Sequence, residues 1–196
     1  MLIYLHGFNS SPQSHKSQLM KKYMDERGLG HRYACPALPN QPGEAMRLIE
    51  AELARHEPPK VTLLGSSLGG FYATWFAQKH GCRAVLIQPA VFPHIGLAAY
   101  LGPQKNLHTG EPYQLTRAHL EGWRELYLET IDPERYLLLL ETGDEVLDWR
   151  QAARKYEGAR MVVRDGGDHS LQSFPEHRSR ILAFAGMGEG SSFHPA

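Results

Sequence analysis

The run Val61-Thr62-Leu63-Leu64-Gly65-Ser66-Ser67-Leu68-Gly69-Gly70 leaves this chain few ways to fold. Its β-branched, apolar opening suits a short buried strand. Gly65-Ser66-Ser67-Leu68-Gly69 is a G-x-S-x-G turn centred on Ser67. Leu68, Phe71, Tyr72, Trp75 and Phe76 then recur at helical spacing and make one apolar stripe. A strand that turns sharply into a helix is the context in which this pattern presents a serine hydroxyl. The turn is tight enough that side chains at positions 65 and 69 would clash with adjoining backbone, which explains both glycines. The first amides of the helix, and its positive dipole end, face the hydroxyl. An ordinary Gly/Ser loop needs neither flank and is the weaker reading.

The same alternation runs along the chain. Leu2 to Leu5 predicts a strand. Ser11-Pro12 predicts the start of a helix that runs to about Arg27, with Leu19, Met20, Tyr23 and Met24 inward and Gly28 and Gly30 ending it. A strand over about His31 to Cys35 stops at Pro36. A helix follows from near Gly43, with Ala45, Leu48, Ile49 and Leu53 at helical period. After the Ser67 unit come a strand at Ala84 to Ile87, another at Tyr136 to Leu140, a helix from Trp149 to Tyr156, a strand at Arg160 to Val163 and a helix from about Pro175 to Ala185. Strands alternating with helices mean a parallel sheet covered on both faces, an α/β fold of three layers, α/β/α. Ligands of such sheets bind at the carboxyl ends of the strands. Residues 91–133 break the rhythm. They are rich in Pro, Gly, His and Tyr, with one helix expected from about Gln114 to Glu129, and read as a lid-like insertion or as a helix packed on the sheet. The whole is expected to be a single domain over 1–187, with a Gly/Ser-rich tail at 188–196 expected to be disordered.

Charge narrows the partners. Lys plus Arg and Asp plus Glu are both 21 in 196 residues, so no global field draws the chain to nucleic acid or to an anionic membrane surface. No apolar run approaches the roughly 20 residues of a membrane span, and Met1 to Leu5 lacks the basic start and length of a secretory signal. A cytoplasmic location is expected, with Cys35 and Cys82 as buried thiols rather than a disulfide framework. The 11 histidines show no metal-ligand spacing, so neither a metal nor a cofactor is expected. The oligomeric state is not legible.

A serine nucleophile needs a base, and the base an orienting carboxylate. Asp144 follows the strand at Tyr136 to Leu140 across Thr142-Gly143, and His169 follows the last strand across Gly166-Gly167. The order Ser67, Asp144, His169 is the Ser…Asp/Glu…His order of hydrolases built on this sheet. Asp148 rivals Asp144, but stands where a cap for the next helix is needed. The oxyanion donors expected are the Leu68 amide, next after the nucleophile, and the Phe8 amide in His6-Gly7-Phe8. His6 itself is read as holding that loop. Phe92, Trp123 and Tyr127 are candidates for the substrate pocket, with core packing an equal alternative.

Taken together, Tyr4-Leu5-His6-Gly7-Phe8-Asn9-Ser10-Ser11-Pro12, the Ser67 turn with Gly70, Pro89-Ala90-Val91, Thr142 to Asp148 and Gly166-Gly167-Asp168-His169 resemble the YqiA-type bacterial esterases, from Leu2 to about Phe184. The resemblance implies a minimal α/β-hydrolase that cleaves a small-molecule carboxylic ester through Ser67, Asp144 and His169. A thioester of acyl-CoA is the alternative substrate, for which an Arg/Lys cluster at the mouth, from among Lys105, Arg117 and Arg124, is the expected sign. A hydrolase fold kept as a silent binding module is the third reading, weakened because every site residue is present. Two positions depart from the family pattern: Gln88 stands where Asn is usual, and Asp168 where Asn usually precedes the histidine.

Overall fold

The computed structural model describes residues 1–188. The expected tail beyond Gly188 lies outside them. Six strands form one sheet: β1 (Leu2–Leu5), β2 (Tyr33–Ala34), β3 (Thr62–Ser66), β4 (Arg83–Ile87), β7 (Tyr136–Glu141) and β8 (Arg160–Arg164). Their order is β2-β1-β3-β4-β7-β8, and every pairing is parallel. The α/β reading is therefore the observed fold. Strand alternation sorts the core into two halves. Ile3, Leu5, Leu63, Leu86, Leu138 and Leu140 pack against α2 (Pro42–Leu53), α3 (Leu68–His80) and α6 (Trp149–Lys155). Leu2, Tyr4, Leu64, Val85, Leu137 and Leu139 pack against α1 (His15–Asp25) and α7 (Phe174–Phe184).

The chain leaves β1 toward one edge for β2, then returns to the other side of β1 for β3. That reversal opens a crevice at the carboxyl ends of β1 and β3, between the loop after Leu5 and the turn at Ser67. Helix α3 lies in the middle of the structure. Leu68 to Thr74 are all buried, so it is apolar on more than the one stripe its spacing predicts.

Three boundaries differ from expectation. Helix α1 begins at His15, because the Ser11 hydroxyl accepts from Gln13 N–H and makes a turn rather than a cap. Strand β2 has two residues at the sheet edge. The insertion holds an antiparallel hairpin that the sequence reading missed, β5 (Gly102–Lys105) with β6 (Pro112–Leu115), after a short helix α4 (Pro93–Gly96) and before α5 (Arg117–Glu125). Gln114 and Leu115 are thus strand, and α5 is shorter than expected. Pro103 and Pro112 read as strand breakers, yet a two-stranded ribbon has two edges where proline needs no partner. Cys82 is buried and Cys35 partly so; both are free thiols. Among the described residues no helix is long and apolar enough to cross a membrane.

Candidate active site

Ser67 stands between β3 and α3 with φ +53° and ψ −118°, a conformation that non-glycine residues rarely hold. Backbone crowding fixes it. A Cβ on Gly65 would lie 2.5 Å from Gly69 O, and one on Gly69 would lie 1.9 Å from Leu5 O. Both glycines are required, as the turn geometry predicts. Ser67 N–H donates to Ile87 O at 2.9 Å, and Ser67 O accepts from Ala90 N–H at 3.1 Å, tying the turn to β4 and the loop after it.

The β1 loop packs on the serine from the other side. A Cβ on Gly7 would stand 3.3 Å from Ser67 Cβ, so the Gly7-Phe8 backbone lies against the side chain. His6 is 4% exposed. Its Nδ1 meets Gly7 O at 3.1 Å and its Nε2 accepts from Leu38 N–H at 2.9 Å. That pairing assigns the proton to Nδ1, and burial holds the imidazole below its usual pKa. His6 is a neutral clamp between two loops. Among the described residues, the Phe8 and Leu68 amides make no hydrogen bond. Both residues line the cavity that holds Ser67.

Asp144 and His169 meet at the end of β7 and β8. His169 Nδ1 lies 2.8 Å from Asp144 Oδ2, with the carboxylate side chain 1% exposed. The other oxygen, Oδ1, accepts from Val146 and Leu147 N–H at 2.8 Å each, which fixes the rotamer. Asp148 instead accepts from Arg150 N–H and caps α6. His169 lines the same cavity as Ser67, although among the described residues no hydrogen bond joins the two side chains. Such links are often loose without a bound substrate.

Sequence reasoning missed what holds His169 in place. Glu141, the last residue of β7, is 1% exposed. Its carboxylate accepts from Asp168 N–H and Gln172 N–H at 3.0 Å, from Ser173 N–H at 2.9 Å and from the Ser173 hydroxyl at 2.6 Å. Burial alone would raise its pKa; the hydrogen bonds from Ser173, Asp168 and Gln172 outweigh burial and hold it low. A Cβ on Gly167 would fall 1.9 Å from Glu141 Oε2, so this glycine makes room for the carboxylate, whereas Gly166 is open to solvent and is suited to its φ of +75°. Gln88, at φ +42°, donates from Nε2 to Asp168 O and Glu141 O and accepts at Oε1 from Glu141 N–H. Lys16 donates to Ser170 O at 2.8 Å. Asp168 turns its side chain to Ser170 and Gln172, within its own loop. The signal in the sequence was a glutamate ending a strand of leucines, where a charge needs a reason.

The cavity over Ser67 has a volume of about 750 Å³. Phe92 lines it. Trp123 does not: it is 1% exposed in the core, its Nε1–H donating to Tyr72 OH at 2.7 Å. Tyr127 backs Phe92, ring centroids 5.3 Å apart, and lines a separate crevice with Phe71 and Lys155.

Known proteins agree on the fold. Mouse α/β-hydrolase domain-containing protein 10 has a TM-score of 0.70 at 17% identity, over 89% of this chain and 84% of that one. An esterase domain from a Rhodothermus marinus protein has a TM-score of 0.66 at 22% identity, over 94% and 85%. At such identities the likeness establishes the α/β-hydrolase architecture. A UPF0227 protein of Pectobacterium atrosepticum is 25% identical over 191 residues, covering 96% of this chain and all of that one. The model of the uncharacterised protein family UPF0227 matches residues 1–186, and the chain belongs to that family, in keeping with the YqiA-type motifs it carries.

Proposed function

We propose that this protein is a serine hydrolase that cleaves carboxylic esters through an acyl-enzyme. The observation that carries the proposal is the His169–Asp144 pair at 2.8 Å, facing the same cavity as a serine held at φ +53° on a tight turn. With Nδ1–H engaged by Asp144, His169 Nε2 is the free base. It takes the Ser67 proton as Oγ bonds to the ester carbonyl carbon. The carbonyl oxygen gains charge and is met by the Phe8 and Leu68 amides. Collapse breaks the bond to the alkoxy oxygen, which leaves with the proton from His169. Water, deprotonated by His169, then attacks the acyl carbon, and Ser67 leaves with its proton restored.

Thioesters would react by the same steps, so only binding separates the two substrates. Lys105, Arg117 and Arg124 do not line the cavity. Arg124 is instead paired with Glu121 at 2.5 Å. The absence of a cationic cluster among the described lining residues favours esters over acyl-CoA.

A fluorophosphonate probe should label wild-type protein on Ser67. Ser67→Ala should lose labelling and at least about 1,000-fold in turnover of p-nitrophenyl acetate. Full turnover by Ser67→Ala, or labelling of another residue, would remove Ser67 as the nucleophile.

A further inference from the structure

The lining of the Ser67 cavity names a class of substrate, provided that Ser67 is the nucleophile. Val91, Phe92, Ile95, Leu97, Tyr100 and Leu107, all from the inserted segment, line the cavity. Val146 and Leu147 add apolar surface from the Asp144 loop. The lining does not stop at the mouth. Ile95 is 64% exposed, Tyr100 51%, Leu107 82% and Val146 57%. These four are a majority of the seven large apolar side chains that stand exposed among the described residues. Scattered exposed apolar side chains need no explanation, but a group gathered around one opening marks a binding surface.

Charge points the same way. Lys16 is the one Lys or Arg among the described residues lining the cavity, and its ammonium is engaged by Ser170 O. Burial lowers its pKa, while the carboxylates of Asp168, Glu141 and Asp144 lie close enough to oppose that effect. Asp148 is the one carboxylate among the described lining residues, and Arg150 pairs with it at 3.2 Å. Among the described residues the cavity therefore offers no cluster of lysines or arginines to a phosphate or carboxylate.

We propose that the substrate is an uncharged ester with a large apolar group, which lies along the 91–107 wall and reaches the rim at Ile95 and Leu107. An acetate ester leaves this wall wet; a longer chain covers it.

The test varies each side of the ester in turn. One arm is p-nitrophenyl esters from acetate to decanoate, the other acetate esters of straight-chain alcohols from ethanol to decanol. On at least one arm, kcat/KM should rise by about threefold per methylene until the wall is covered. Ile95→Asp and Leu107→Asp should flatten that rise. Val163→Asp, at an exposed apolar position away from the cavity, should keep it. Acetate turnover with no rise on either arm would overturn the substrate class and leave the serine-hydrolase reading standing. Faster cleavage of acyl-CoAs than of matched neutral esters would overturn the uncharged part. No turnover of any ester, together with no fluorophosphonate labelling of Ser67, would remove both.

Discussion

Glu141 and Asp144 stand three residues apart and do different work. Asp144 contacts the His169 ring, whereas Glu141 gathers the backbone on either side of it. Glu141→Gln keeps the shape but puts an amide where two N–H groups need an acceptor. The expected outcome is a loss of about 2 kcal/mol of stability at pH 7 and a fall in kcat larger than any rise in KM, read from urea unfolding and ester kinetics. The pH dependence has a definite sign. A carboxylate whose pKa is depressed in the fold contributes stability above its unfolded pKa, about 4.3, and loses it as pH falls through the lower folded value. The gap in unfolding midpoint between wild type and Glu141→Gln should therefore shrink from pH 7 toward pH 3; a constant gap would deny the carboxylate this role. The Asp pair separates as cleanly. Asp144→Asn should lower kcat by about 1,000- to 10,000-fold by disturbing the His169 tautomer. Asp148→Ala should cost about 1 kcal/mol as a lost cap and keep turnover within about threefold.

At the scale of elements, what the sequence made legible was what backbone geometry demands. Gly65 and Gly69 mark a turn because their missing side chains are sterically required, and that requirement can be read without coordinates. Strands β3, β4 and β7 were equally legible, being apolar runs bounded by turn residues. The hairpin β5–β6 was not. Its core contribution is small, its prolines read as breakers, and its turn depends on Asn106 Oδ1 accepting from His108 and Thr109 N–H, a side-chain device with no periodicity. Trp123 shows the converse limit. An aromatic residue in an inserted segment suits a pocket as well as a core, and only its bond to Tyr72 decides. The elbow itself offers a direct check. Gly69→Ala places a methyl against the Leu5 carbonyl, so β1 and the turn must separate. Thermal unfolding should shift down by several degrees and kcat should fall at least tenfold, whereas Gly43→Ala, outside the cavity lining and with a Cβ that would meet only the end of the Arg47 side chain at 3.9 Å, should lower neither.

Across the whole molecule, the inserted segment and the loop bearing Phe8 form one body. Tyr113 OH donates to Asn9 Oδ1 at 2.7 Å, and Asn9 Nδ2 donates to Gln104 Oε1 at 3.2 Å. Asn106 Nδ2 donates to Ser10 O and Leu107 N–H to Asn9 O, each at 2.9 Å. Asn9 itself sits at φ +52°, a conformation asparagine tolerates better than most residues. The hairpin therefore grips the residue next to the proposed oxyanion donor. This arrangement favours a fixed wall over the mobile lid that an insertion of this length suggests from sequence. A wall predicts that the Leu107 amide exchanges slowly with deuterium although its side chain is 82% exposed, because the amide is held by Asn9 O. It also predicts a coupling between wall and chemistry. Tyr113→Phe removes one hydrogen bond distant from the scissile bond, yet should lower kcat by about threefold to tenfold through Asn9 and Phe8, with KM for a short ester little changed. Free exchange at Leu107 together with an unchanged kcat in Tyr113→Phe would restore the lid, because a segment that opens on its own leaves the oxyanion loop where it was.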